Sequence, residues 1–154
     1  MTFLLLDILI LFFAKNGIEA TRITPEKLSN GDENQIKVNI KNHYTFPISA
    51  KIIDEIPFQF QIRNFEIALK IKASSPDEIN YFLRPTERGE YSFGNLNIYV
   101  ASPLQLISRR FTFDKGRIVP TYPSYIQLRR YDLMAFSNNL FQYGVKKIRR
   151  IGHT

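Results

Sequence analysis

The sequence predicts a mainly β fold, an antiparallel β-sandwich of immunoglobulin-like type with a short apolar segment before it and a helix after it. Three observations predict it. Apolar and polar residues alternate with period 2 through the middle of the chain, turn chemistry recurs at roughly 8–12-residue intervals between Ile18 and Tyr122, and no helical periodicity of useful length interrupts that stretch. At 154 residues the chain is one ordinary domain with short arms, and its 44% hydrophobic content can fill a core. The expected organisation is an apolar segment over 1–16, the sandwich over 17–123, and a connector helix with a basic linker over 124–154.

The first element is Phe3 to Ala14, FLLLDILILFFA, apolar except for Asp7. A bilayer span takes roughly 20 such residues, so this run is too short alone. No basic residue precedes it and no Ala-x-Ala site follows, which argues against a signal peptide. Lys15 and Arg22 come just after, as they do on the cytoplasmic side of a membrane helix. Two readings stay open: a buried first element of a soluble fold, and the end of a transmembrane helix that begins outside this chain. A dozen Leu, Ile and Phe residues are unusually greasy for a surface helix, which favours the truncated span.

The strands follow in order. Ser29-Asn30-Gly31-Asp32 is turn chemistry, since Asn-Gly readily takes positive φ, and Ile36, Val38 and Ile40 then alternate with Lys37, Asn39 and Lys41. Phe65, Ile67, Leu69 and Ile71 alternate with Glu66, Ala68, Lys70 and Lys72. Ile79, Tyr81 and Leu83 alternate again before Arg84-Pro85. Tyr91 and Phe93 follow the Arg88-Gly89 turn, and Leu96, Ile98 and Val100 follow Gly94-Asn95. Phe111 and Phe113 share a side, and Asp114-Lys115-Gly116 turns into Arg117 to Tyr122. Seven or eight strands result. Most of the 21 aromatic residues then serve to fill the space between two sheets.

From Ser124 the pattern changes. Ile126, Leu128, Leu133, Met134, Phe136, Leu140 and Phe141 suit an amphipathic helix, with Ser124 as its N-cap and Gly144 as its stop. Charge is concentrated here as well. Residues 1–124 hold 15 basic and 13 acidic side chains, whereas the last 30 hold six basic residues against Asp132, so five of the seven excess positive charges sit at this end. The dense part, Lys146, Lys147, Arg149 and Arg150, reads as a solvated helix end or linker, with phosphate or anionic-lipid contact as the alternative. A nucleic-acid face would need basic residues spread over a folded surface, so nucleic acid is disfavoured.

Catalytic chemistry is thin. With no cysteine, disulfides, thiolate metal sites and thiol catalysis are excluded, and the two histidines, His43 and His153, lie in no nucleophile or metal-ligand pattern. No phosphate-binding glycine loop occurs. Asp54-Glu55 and Asp77-Glu78 are adjacent acids that a strand would point to opposite faces, so neither pair forms a catalytic dyad or metal site by itself, and both read as solvated loops. No catalytic residue, cofactor or metal is expected, and the chain reads as a non-enzyme.

Several segments together resemble the domain of unknown function 58 family. Pro25-Glu26-Lys27-Leu28-Ser29-Asn30-Gly31-Asp32, Asn42 and Asp54-Glu55-Ile56-Pro57 look like the opening of that family's domain. Leu83 to Leu96 resembles its P…RG-x-Y-x-FG-x-L signature, carried here by Arg88, Gly89, Tyr91, Phe93 and Gly94. Tyr122-Pro123 resembles a family strand end, and Gly144 to Gly152 its basic segment. Ser102 and Gln105 depart from the usual Asp and Gly of the turn around Pro103. The resemblance implies a membrane-anchored β-sandwich on the cytoplasmic side of a bacterial inner membrane, held there through Phe3–Phe13. It implies a following von Willebrand factor A-like domain that the connector helix packs on, and a MoxR-type AAA+ ATPase as protein partner in complex assembly. The signature residues are expected to have structural jobs: Gly89 and Gly94 at turns or bulges, and Arg88 capping carbonyls or pairing with Glu87 or Glu90. The competing functions are nucleic-acid or anionic-lipid binding through the basic segment, and carbohydrate binding by aromatics aligned on one exposed face.

Overall fold

The computed structural model describes residues 1–114 and 116–151, and the side chains of all of these but 125, 126 and 145–151. A helix α1 (Thr2–Phe13) precedes ten strands: β1 (Ile18–Ile23), β2 (Leu28–Ser29), β3 (Asn34–Asn42), β4 (Ile48–Asp54), β5 (Glu66–Ile71), β6 (Pro76–Leu83), β7 (Gly89–Phe93), β8 (Leu96–Ala101), β9 (Ser108–Phe113) and β10 (Arg117–Tyr122). A 3-10 turn covers Phe58–Phe60, and helix α2 (Tyr125–Ile151) closes the chain.

The strands form a three-stranded sheet β1-β3-β6, a four-stranded sheet β5-β4-β8-β9 and a small sheet β2-β10-β7. All pairings are antiparallel except the two-residue contact between β2 and β10. The alternation expected from the sequence is the packing pattern. Ile36, Val38 and Ile40 from β3 meet Ile48, Ala50 and Ile52 from β4 and Leu96, Ile98 and Val100 from β8 in one core, all of them at most 2% exposed. The small sheet extends that core with Leu28, Tyr91, Phe93 and Val119. Branched aliphatics on facing pleats are what two packed sheets require. Strand β4 escaped the sequence reading because Ile52-Ile53-Asp54 interrupts the alternation at its end, yet its Ile48, Ala50, Ile52 and Asp54 all face inward.

Helix α1 and helix α2 leave from opposite ends of the sandwich. Strand β3 marks the axis. Near its start the Asp32 turn touches Ser124, the residue before α2, and just after its end Tyr44 donates a hydrogen bond to the Leu11 carbonyl at the close of α1. Nine residues of strand separate those points by about 30 Å.

Two sequence expectations need correction. Gly144 does not stop α2, which runs on to Ile151. An interior glycine costs a helix only about 1 kcal/mol relative to alanine, and the Lys and Arg residues beyond it are good helix formers. Of the two forms expected for the basic segment, the structure has the helix end. Asp54 is not in a solvated loop: its side chain is wholly buried at the end of β4. Asp77 and Glu78 are exposed as expected, though on β6.

Candidate functional site

The signature stretch is a structural device built around an arginine that the sequence reading passed over. Arg22 points inward from β1 with its side chain 2% exposed, and is neutralised by Asp54 at the end of β4. Its Nε donates to Asp54 Oδ2 at 3.2 Å, and one terminal nitrogen lies 2.9 Å from Oδ1, off the hydrogen-bond axis. That nitrogen also donates to the Gly94 carbonyl at 2.7 Å, and the guanidinium lies 5.2 Å over the Phe93 ring. From β6, Tyr81 donates its hydroxyl to Asp54 Oδ2 at 2.5 Å. Burial raises the Asp54 carboxyl above its usual range, against the pull of Arg22 and the hydrogen bonds, and burial beside Asp54 raises the Tyr81 phenol. The group joins the two main sheets through one buried ion pair, and Phe93 and Gly94 of the signature form its lid.

The remaining signature residues support that turn. Tyr91 is buried against Phe60 and donates to the Glu87 carbonyl at 2.8 Å. Gly89 holds φ at +140°, a conformation that side chains disfavour. Gly94 lies so close to Glu55 that a Cβ there would sit 2.7 Å from the Glu55 Cβ, while Glu55 accepts the Asn95 amide at 2.8 Å. Gly94→Ala is therefore expected to destabilise the domain by about 2–3 kcal/mol, read as a lowered urea midpoint with an unchanged slope; an unshifted midpoint would refute the close approach. Arg88 fulfils neither expected role. It is exposed, and among the described residues it pairs with neither Glu87 nor Glu90 and caps no carbonyl. The turn is held by backbone and Tyr91, which leaves Arg88 in solvent.

Helix α1 is turned inside out. Asp7, its one charged residue, is completely buried, and apart from Leu11 the large apolar residues of the helix are wholly or partly exposed, with Leu9 62% and Phe13 89% accessible. Asp7 accepts the Ser102 hydroxyl on one oxygen and the Ile107 amide, at 3.1 Å, on the other, tying α1 to the loop between β8 and β9. Arg109 fastens the helix end, donating to the Leu11 and Ala14 carbonyls at 2.8 Å each while lying over the Phe12 and Phe111 rings. Ser102, at the start of that loop, is the Asp7 partner.

At the far end Ser124 caps α2 as the sequence predicts, accepting the Gln127 amide at 3.2 Å. Its hydroxyl also donates to Asp32, which accepts Ser29 as well, both at 2.5 Å. These two hydrogen bonds hold the Asp32 carboxyl below the usual carboxylate range. Beyond that cap Leu133, Phe136, Leu140 and Tyr143 stand exposed along one stripe. Lys146, Lys147, Arg149 and Arg150 occupy the last turns of α2, where their side chains fall outside the described residues.

Among the described residues no three histidines or carboxylates group to hold a metal ion. The exposed aromatics of the sandwich, Phe58, Phe82 and Tyr122, lie on the 3-10 turn, β6 and β10 and form no row on one face.

The sequence matches no family model, and none of the curated proteins compared with it matches either. Solved structures do match in fold. A PapD-like domain of human CEP192 aligns with a TM-score of 0.53 at 12% identity, over 70% of this chain and 87% of that one. The CARDB domain of a Pyrococcus furiosus protein, solved in complex with di-metal ions, aligns at 0.48 with 14% identity over 68% and 87%. A family 123 glycoside hydrolase from Clostridium perfringens aligns at 0.41 with 10% identity, over 70% of this chain and only 28% of the enzyme. At these identities the first likeness establishes the immunoglobulin-like fold and carries no activity with it.

Proposed function

We propose that this chain is a non-enzymatic interaction and spacer module, seated on a membrane by α1 and presenting its other end, with α2, to protein partners. The inverted helix carries the reading. A helix that is apolar all round is ordinarily buried, yet the sandwich covers only the side bearing Asp7 and Leu11 and leaves the rest bare. Twelve residues span about 18 Å, and no helix among the described residues is long and apolar enough to cross a membrane. Docked on the domain with its greasy side outward, α1 suits the acyl region of a lipid surface. The 30 Å of sandwich then sets the distance from that surface to the α2 cap. By the resemblance to the domain of unknown function 58 family, α2 leads to an A-type domain, and the partner is a MoxR-type AAA+ ATPase at the inner membrane.

Flotation with phosphatidylglycerol–phosphatidylethanolamine vesicles tests the seating. The full chain is expected to float with the vesicles, and Leu9→Asp combined with Phe13→Asp, both on the exposed side, is expected to leave it at the bottom with unchanged thermal unfolding. A double variant that floats as well as the parent would refute α1 as the contact.

A further inference from the structure

We infer that the outer face of the four-stranded sheet is a docking groove for an acidic, apolar-centred segment of a partner protein. The register lays out the face. Ser49 on β4 stands beside Lys70 on β5 and Ala101 on β8, and Ala101 beside Ser108 on β9; one step along, Lys51 stands between Ala68 and Tyr99, and Tyr99 beside Arg110. Three small side chains (Ser49, Ala101 and Ser108) thus form a row at backbone level, with Ala68 diagonal to Ser49 one step along, in a depression of about 770 Å³ where the Gln105 amide reaches Ser49 Oγ at 3.5 Å. Tyr99 and the Gln105 loop rise at its sides. An exposed sheet face in a freestanding domain ordinarily carries long polar side chains, and a floor this low leaves backbone within reach of a visitor.

Charge selects the visitor. Lys51, Lys70 and Arg110 ring the floor, with Lys51 and Arg110 two strands apart, about 10 Å. Among the described residues, the acid beside this floor is Glu66, which is occupied with Lys51 at 3.0 Å. Lys70 and Arg110 have no ion-pair partner among the described residues. The opposite outer face, on β1-β3-β6, is different: there Glu78 meets Lys37 at 3.5 Å and Glu19 meets His43 at 3.4 Å. The acids exposed there, Glu19, Asp77 and Glu78, stand among Lys37 and Lys41, so a second copy would bring cations as well as acids to the groove. Three cations around a floor with a single aromatic are too few for a nucleic-acid track, which draws on more phosphate contacts and stacked bases. Carboxylates flanking an apolar residue fit the floor, the tyrosine and the ring of charge together.

The groove also has a link to α1. The β8–β9 loop that carries Gln105, held at φ +55°, is the loop whose Ser102 and Ile107 grip Asp7. The inference nevertheless stands apart from membrane seating, because none of its cations or floor residues lies on α1.

The test is selection of a phage-displayed random 12-residue peptide library on the immobilised chain, with counter-selection on Lys51→Glu/Lys70→Glu/Arg110→Glu. Enriched peptides are expected to carry two or more Asp or Glu around an apolar residue, to lose at least about tenfold in affinity on the charge-reversed variant, and to shift the amide resonances of Ser49, Ala68, Ala101 and Ser108. Ala101→Leu, which fills the floor and keeps every charge, is expected to weaken the same peptides comparably. Both variants are checked for unchanged circular dichroism. Failure to enrich peptides, enrichment without acidic bias, binding that survives both variants, a 20-base-pair duplex that shifts the same resonances at 150 mM salt, or self-association abolished by charge reversal would each overturn the proposal.

Discussion

Arg22→Ala is expected to cost the domain about 3–5 kcal/mol, the toll of leaving a buried carboxylate without its cation. The loss would appear as a collapse of the urea midpoint, and a change under about 1 kcal/mol would sink the account of Arg22 as the inter-sheet tie. Replacing the whole group tells more. Arg22→Met with Asp54→Leu and Tyr81→Phe removes both charges and the hydroxyl that serves them, so it is expected to recover most of the single-variant loss. Acid gives an independent reading. In Arg22→Met burial, which already raises the Asp54 carboxyl, is opposed only by the Tyr81 hydrogen bond and no longer by the guanidinium. A carboxyl raised above its unfolded value of 3.8 contributes stability that is fully present below that pH and lost as pH rises through the folded value. The gap between Arg22→Met and the parent is therefore expected to narrow toward pH 4 and widen toward pH 7.5. A constant gap would mean that Asp54 does not feel Arg22.

Asp7→Leu is the second expected large effect, and its sign opposes hydropathy. The substitution makes an apolar run more apolar, yet it removes the acceptor of the Ser102 hydroxyl and the Ile107 amide in a place closed to water. A typical intramolecular hydrogen bond contributes about 0.5–1.5 kcal/mol net, and a buried donor left without its acceptor adds to the loss. Losing about 2–3 kcal/mol of docking should speed amide exchange in α1 and in residues 102–107 by roughly 30- to 150-fold, with β3 unaffected. Leu9→Asp, on the bare side, should leave those rates alone. Equal protection in Asp7→Leu would show that α1 is held by something else.

Much of the framework could be read directly from residue order. Ile36, Val38 and Ile40 are spaced two apart between lysines and asparagines, and that spacing alone assigns both the strand and its inward face. Ser124 caps α2 through a bond three residues away, a range within which sequence is informative. The polar interior was illegible for the opposite reason. Arg22 and Asp54 are 32 residues apart, Asp7 and Ile107 are 100 apart, and nothing local marks either carboxylate as buried. Asp54 looked solvated because it adjoins Glu55, although the pleat sends one inward and the other outward. Asp7 looked like a flaw in a greasy run, when it is the residue around which that run is oriented. The groove was invisible because alanine and serine on an outward face carry no periodic signal, and only the register shows that Ser49, Ala101 and Ser108 are neighbours.

The distance between Asp7 and its acceptors has a consequence in time. A ribosome moving at roughly 5–20 residues per second delivers Ile107 some 5–20 s after Asp7. For that interval α1 is a nascent greasy segment with no site to dock on, because β8 and β9 have not yet been made. The sandwich cannot shelter it, so whatever receives α1 first, a lipid surface or a chaperone, does so before the domain exists. The order of synthesis thus leaves α1 without its docking partners until β8, β9 and the loop between them have been made.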